Sequence, residues 1–296
     1  MTRRGFLRGL LAATLAGLFL AAYGFFVEPA LRMTVRRWRI SPPGWRRGHQ
    51  LRIAVLADLH MGEPHVGLGR LRRIVARVNA MEPDLVLILG DLVAGHRFVT
   101  AQVPVAETAK VLAGLKGRLG VFAVLGNHDW WDDLTAQKRG HGPVLAQMSL
   151  EDHGIPVLEN RALRLDTAGG DVWLAGLGDQ LALVRGGGRF DGVDDLPGTL
   201  AQIPDDGAPV ILMAHEPDIF PEVPERVALT LSGHTHGGQV RLFGWSPVVP
   251  SRYGNRYAYG HVREGARDLV VSGGIGCSIL PVRFGVVPEI TVIELS

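Results

Sequence analysis

Apolar residues form one long block near the N-terminus, and beyond residue 50 they recur as short runs separated by polar, glycine-rich turns. From Gly9 to Val27 the chain carries no charge, and about 19 residues at ~1.5 Å each nearly match a hydrocarbon core of ~30 Å. This block predicts a membrane-spanning helix. Leu51–Ala57, Leu85–Leu89, Val121–Leu125, Val210–Ala214 and Leu229–Ser232 have the length and apolar character of buried strands. Thr34–Ile40, Ala162–Leu165, Val172–Ala175, Gln239–Phe243, Leu269–Ser272 and Ile290–Leu295 are predicted as further strands, which makes the second half β-rich. Helical spacing puts Leu68, Leu71, Ile74, Val75 and Val78 on one face, with Arg70, Arg72, Arg73 and Arg77 largely on the other, solvated side. Arg185–Asp195 reads as a surface loop, and the chain has no internal repeat.

Each of the five principal apolar runs ends in a polar cluster: Asp58-Leu59-His60, Gly90-Asp91, Gly126-Asn127-His128-Asp129, His215, and Gly233-His234-Thr235-His236. Groups at the carboxyl ends of neighbouring strands in an open α/β sheet converge on one crevice. Carboxylates, imidazoles and an amide gathered there are the donors that two adjacent divalent cations need, and Asp91 has two oxygens to share between them. In Asp58-x-His60 and His234-x-His236 an extended backbone would point both donors to the same side. Each cluster alone is compatible with a turn or a cap. Five of them at strand ends, in order, point to a two-metal hydrolytic site.

The ordered series D-x-H, G-D, G-N-H-D, H, G-H-x-H resembles the calcineurin-like binuclear metallophosphoesterase superfamily. Ala214-His215-Glu216-Pro217-Asp218, Leu231 to Gln239 and Pro281-Val282-Arg283-Phe284-Gly285 are similar to its membrane-associated YkuE/YaeI-like phosphodiesterase subgroup. The resemblance covers residues 50–296. It implies an α/β fold, a two-sheet β-sandwich flanked by helices (αββα). It also implies that Asp58, His60, Asp91 and His236 hold one metal while Asp91, Asn127, His215 and His234 hold the other. His128 is then left free for catalysis. One departure is Ala94, where the family often has a polar residue three positions beyond the bridging aspartate.

Hydrolysis at such a site needs a nucleophile, a charge sink and a proton source. Two cations supply the first two by acidifying a bridging water, and His128, next to a ligand, is suited to protonate the leaving alkoxide. Asp129 can orient the His128 ring or cap the turn. Mixed nitrogen and oxygen donors without thiolate suit manganese, iron, zinc or nickel. The single cysteine, Cys277, lies among small residues and reads as a buried, inert thiol. Histidines 49, 65, 96, 141, 153 and 261 fall outside the pattern and are assigned to surface or satisfied polar roles. Arg241 and Arg283 are candidates to hold a substrate phosphate, beside Arg252 and Arg256.

Composition bounds the remainder. With 296 residues, 47% hydrophobic and 20% charged, the chain supports one large core. The net charge of +2 conceals nine arginines between Arg3 and Arg47. The acidic remainder gives no footprint for nucleic acid. The expected organisation is an anchor over 1–30, a basic juxtamembrane segment over 31–49 and a catalytic domain over 50–296. Thr2-Arg3-Arg4-Gly5-Phe6-Leu7-Arg8 resembles a twin-arginine export signal, which predicts the twin-arginine translocase as a partner and an extracytoplasmic domain at the inner membrane. Ala22-Tyr23-Gly24 is the nearest approach to a cleavage site, and the length of the apolar run favours a retained anchor. Against export, six arginines follow the block and three precede it, a bias that would keep the domain in the cytoplasm.

The leading expectation is a phosphodiesterase acting on a phosphate ester of the envelope, a lipid included, close to the membrane surface. The alternative is a cytoplasmic pyrophosphohydrolase of a nucleotide-linked lipid, of the UDP-diacylglucosamine type. A non-catalytic envelope-binding module is the third reading. Trp130, Trp131, Phe243 and Trp245 lie close to the ligand clusters and serve either as core aromatics or as an apolar rim.

Overall fold

The computed structural model describes residues 2–296, so that of the expected 1–30 segment Met1 lies outside the described residues. A helix, α1 (Arg3–Ala22), continues as a π-wound stretch over Tyr23–Leu31. Together they form one 29-residue helix whose most apolar 18-residue stretch has mean hydropathy 2.1, long and apolar enough to cross a membrane.

Two sheets follow. The first contains β1 (Thr34–Ile40), β2 (Leu51–Leu56), β3 (Leu85–Leu89), β4 (Val121–Val124) and, from the chain's end, Glu289–Leu295. The second contains β5 (Arg161–Leu165), β6 (Val172–Gly176), β7 (Val210–Met213), β8 (Val227–Ser232), β9 (Gly260–Glu264) and β10 (Arg267–Val271). With Glu289–Leu295 as β11, the orders are β1-β11-β2-β3-β4 and β9-β10-β8-β7-β6-β5. The pairs β2/β3, β3/β4, β6/β7, β7/β8 and β8/β10 are parallel. Parallel strands need covering on both faces, which explains their unbroken apolar runs.

Alternation along β3 shows how the layers form. Leu85, Leu87 and Leu89 face the second sheet and join a core with Ile53, Val55, Ile211, Met213, Leu229 and Leu231. Val86 and Ile88 face the other way, onto α2 (Leu68–Asn79), α3 (Val105–Leu112) and the helices after β4. The outer face of the second sheet packs Leu212, Val210 and Ala175 beneath Leu196, Leu200 and Phe220. The result is the expected αββα sandwich.

Several expectations are corrected here. Residues 34–40, expected as a strand although placed within the basic juxtamembrane segment, do form a strand, β1, which pairs in parallel with β11, residue for residue from Thr34 opposite Glu289 to Ile40 opposite Leu295. The folded domain therefore begins before residue 50. Gln239–Phe243 forms no strand: Val240 makes isolated bridges to Phe284 and Gly285, and Leu242 pairs with Trp245 across a tight turn. Within the supposed loop Arg185–Asp195, the strands Leu183–Gly186 and Arg189–Asp191 make a hairpin. Arg70 is buried, not solvated. It donates to the carbonyls of Pro29, His65 and Arg32 and so clasps the foot of the N-terminal helix.

Candidate metal centre

All five clusters sit at carboxyl ends of strands: Asp58 beyond β2, Asp91 beyond β3, Asn127 beyond β4, His215 beyond β7, and His234 and His236 beyond β8. Sheet one thus faces sheet two across the site. The backbone does not reach it by extension, as expected for the D-x-H and H-x-H segments. Asp58, His60, Asp91, His234 and His236 have φ of 53, 41, 56, 66 and 52°, in the left-handed region that non-glycine residues rarely occupy. A chain leaving a buried strand has to turn at once to bring two successive donors inward, and this conformation does so at a cost of about 1–3 kcal/mol per residue. The neighbouring glycines make room. A Cβ on Gly126 would lie 2.4 Å from Asp91 Oδ1, and one on Gly90 (φ 85°) would lie 2.3 Å from Gly126 N.

One donor set joins Asp58, His60, Asp91 and His236, and a second joins Asp91, His215 and His234. Asn127 Oδ1 approaches the second set, 2.9 Å from His234 Nδ1. Asp91 Oδ2 lies 3.4 Å from His60 Nε2 and 3.3 Å from His215 Nε2, so one carboxylate faces both sets. His60 Nδ1 donates to Val93 O at 2.9 Å and His215 Nδ1 to Leu89 O at 2.5 Å. Both imidazoles therefore turn an Nε2 lone pair inward, the usual means of orienting a metal-binding histidine. Asp58 Oδ2 and His215 Nε2 are buried without a hydrogen-bond partner, and His60 Nε2 faces His236 Nε2 at 3.0 Å. Buried polar atoms that lack partners need an explanation. Inward-facing oxygen and nitrogen donors fit two divalent cations.

The electrostatics agree. Burial holds His60 down to about 3 and lowers His234 and His236, the last also through His60 and Arg283. Neutral imidazoles can coordinate. Burial raises Asp58 to about 7, with Asp91 adding to the rise. For Asp91 burial is outweighed by His215, His128 and His60, which hold it well below the usual carboxylate range. Burial would lower His215, but Asp91 prevails and raises it well above an ordinary imidazole. The pull of Asp91 marks a place where positive charge is favoured.

His128 is half-buried and lines a cleft of about 390 Å³ with Asp91, Asn127, His234 and His236. Its backbone N–H donates to Asp91 Oδ1 at 2.9 Å, and its Nε2 is 3.3 Å from Ser278 Oγ. The ring stands edge-on to His60 at 5.0 Å and against Trp131 at 5.1 Å. Asp129 does not orient it. Both Asp129 oxygens accept backbone N–H groups, from Gly126, Asp91 and Leu92, and tie the ends of β3 and β4 together.

Of the candidate arginines, Arg283 is corrected. It is fully buried, donating to Gly273 O, Gly276 O and Val286 O, with Nη2 3.2 Å from His236 Nδ1. It lies behind His236 and does not face the cleft. Arg241 lies over the Tyr259 ring and 3.3 Å from Ser246 Oγ. Asp179 and Glu216, unassigned from the sequence, are buried beside His215. Glu216 accepts from Gln180 N, and burial together with Glu216 raises Asp179 well above its usual range. Asp179 sits in no motif. Cys277 is a buried free thiol, as expected.

Comparison with known proteins agrees with this arrangement. The calcineurin-like phosphoesterase family model matches residues 51–238. An uncharacterised metallophosphoesterase, YkuE of Bacillus subtilis, is 29% identical over 308 residues, covering 100% of this chain and 98% of that protein. The phosphodiesterase YaeI of Escherichia coli is 30% identical, with 82% of each chain covered. A zebrafish transmembrane protein with a metallophosphoesterase domain is 33% identical over 83% of this chain, which spans 53% of that protein's length. The chain therefore belongs to the calcineurin-like phosphoesterase family, hydrolases of phosphate esters.

Proposed function

We propose that this chain is a membrane-held phosphodiesterase of the cell envelope. In this reading Asp58, His60, Asp91 and His236 hold one divalent transition-metal ion, and Asp91, Asn127, His215 and His234 hold a second. Manganese, iron, zinc and nickel all suit these donors. The carrying observation is Asp91, whose one carboxylate oxygen faces both donor sets within 3.4 Å. When bound, such a pair of ions supplies an acidified water and a sink for charge on the phosphoryl oxygens.

The rest falls to the chain itself. His128, fixed through its own N–H on Asp91 and braced by Trp131, is placed to protonate the departing alkoxide. No Lys or Arg lines the cleft among the described residues. A monoanionic diester needs less positive charge than a monoester dianion, and apolar walls leave room for its second substituent. This supports a diester, in line with the relative named a phosphodiesterase.

An extracytoplasmic domain, delivered by the twin-arginine translocase, is the accompanying proposal on topology. Arg37 and Arg39 pair with Glu294, and Arg36 donates to Tyr259. Much of the charge that argued for a cytoplasmic domain is therefore part of a folded sheet. Hydrolysis of bis(4-nitrophenyl) phosphate should disappear on chelation and return with manganese, and full activity in demetallated protein rejects the mechanism. Changing Arg3 and Arg4 to Lys should strand the domain inside. If single cysteines introduced on the surface of a domain with its native N-terminus are labelled only after permeabilisation of the inner membrane, the nucleotide-lipid pyrophosphohydrolase takes first place.

A further inference from the structure

The foot of the membrane helix and the mouth of the cleft are built on the same loop. Arg283 N donates to Gly24 O at 2.9 Å, Tyr23 stands edge-on to Phe284 at 5.9 Å, and His65 Nε2 donates to Phe25 O at 2.9 Å. Two residues before Phe284, Val282 lines the cleft. Arg241 N donates to Phe284 O at 2.8 Å and Gln239 Nε2 to Leu280 O at 3.2 Å, so the 239–245 turn is fastened to that loop as well.

On this doubly fastened rim Leu242, Phe243, Trp245, Val248, Ile279 and Leu280 are exposed, Phe243 completely and Ile279 at 68%. Contiguous exposed apolar side chains mark an interaction surface. Their backbone sharpens the point. Phe243 (φ 51°) and Gly244 (φ 82°) occupy the two central positions of a turn closed by reciprocal hydrogen bonds between Leu242 and Trp245. The first of those positions ordinarily takes Asn, Asp or Gly. Ile279, β-branched, has φ 64°. Both side chains are held outward in conformations that disfavour them, as happens at ligand clamps.

We infer that this rim dips into the lipid surface beside the membrane helix, so that the cleft opens onto the bilayer and receives an amphiphilic phosphodiester. The phosphodiester end would reach His128 and the donor sets, and the apolar end would lie along Val240, Val248, Ile279 and Leu280. The occupant is a lipid surface because the rim is continuous with a helix long enough to cross one. The substrate class rests on the phosphodiesterase reading, whereas immersion of the rim does not.

Full-length protein in phosphatidylcholine/phosphatidylglycerol nanodiscs tests the immersion. Cys277 is buried, so nitroxide labels report on Phe243→Cys, on Trp245→Cys as a second site, and on Asp205→Cys before β7 at the far end of the sandwich. The labels at 243 and 245 should be more accessible to oxygen than to a water-soluble nickel chelate, with the reverse at 205. Aqueous behaviour at both rim sites overturns the proposal. The tail site is read separately with alkyl 4-nitrophenyl phosphates, where kcat/KM should rise about tenfold or more from ethyl to octyl. A flat series removes the amphiphilic substrate. No hydrolysis of any member, with immersed labels, removes the phosphodiesterase reading and leaves the rim.

Discussion

Arg283→Leu separates a residue that grips substrate from one that holds the site together. Arg283 is wholly buried, and its guanidinium serves Gly273 O, Gly276 O and Val286 O. Leucine leaves those three carbonyls buried without their donor, at about 1–3 kcal/mol each. Taking the low end, the loss is at least ~3 kcal/mol, which for a chain of this size lowers Tm by roughly 6–12 °C. Lysine keeps the charge but lacks the planar fork and should recover only part of the loss. Metal content should fall too, because His236 Nδ1 loses the group 3.2 Å behind it. Calorimetry on metal-loaded and chelated protein reads the stability, and elemental analysis reads the occupancy. An unchanged Tm with a tenfold higher KM for a diester would refute this reasoning and return Arg283 to the substrate.

Asp91→Asn should lower both metal content and rate, since one oxygen faces both donor sets; elemental analysis showing full occupancy contradicts the bridging role. His128→Ala should retain metal and slow hydrolysis of a poor leaving group by roughly 10²–10⁴, with a smaller loss for 4-nitrophenolate, and an emptied site shows it to be a ligand. Chelation should lower the unfolding free energy by about 2.7 kcal/mol if metal was present at ~100 times its Kd. That loss should grow with pH. Asp58 stands near 7 in the metal-free fold and starts from 3.8, so the fold binds the extra proton in that window and its metal-free stability declines as pH rises through it. His60, His234 and His236, lowered by burial, pull the other way in the lower part of this window, so the sign is read as a difference: in denaturant titrations chelated Asp58→Asn should decline less than the chelated native sequence between pH 5.5 and 8, and an equal or larger decline contradicts it.

The sandwich was legible because buried parallel strands write themselves as unbroken apolar runs, and Leu85–Leu89 is strand to the residue. The ligand clusters were legible because they are the polar punctuation at the ends of those runs. What the sequence hid was direction. Arg70 lies on the polar side of its helix by periodicity, yet the helix foot from Pro29 to Arg32 comes back over it and supplies carbonyls. Arg283 lies in the P-V-R-F-G stretch that carries part of the family resemblance, and only the closed fold shows that its side chain turns inward beneath His236. Val240 and Leu242 have strand character but meet only isolated partners, because the tight turn at Phe243 and Gly244 folds the segment back. The left-handed backbone at five site residues has only a weak signature in residue type, since Asp and His are enriched in that conformation but far from confined to it.

The donor sets also say when in folding the site can exist. Asp58, His60, Asp91 and Asn127 leave strands of the first sheet, and His215, His234 and His236 leave strands of the second. Each set draws from both sheets. Neither sheet alone holds a complete set, so cation binding requires the leucine-rich interface between them to be closed, and its free energy is stored in that closure. Without metal the same closure is costly, because it buries Asp58 and Asp91, already neighbours at the ends of adjacent strands of the first sheet. Metal held by both donor sets would therefore staple the sheets together as well as supply the chemistry, and its removal should loosen β2, β3, β7 and β8 together at their carboxyl ends. Hydrogen exchange at Asp58 N, which donates to Gly90 O, and Gly233 N, which donates to His215 O, should accelerate in parallel on chelation, while exchange at the β1/β11 edge stays unchanged.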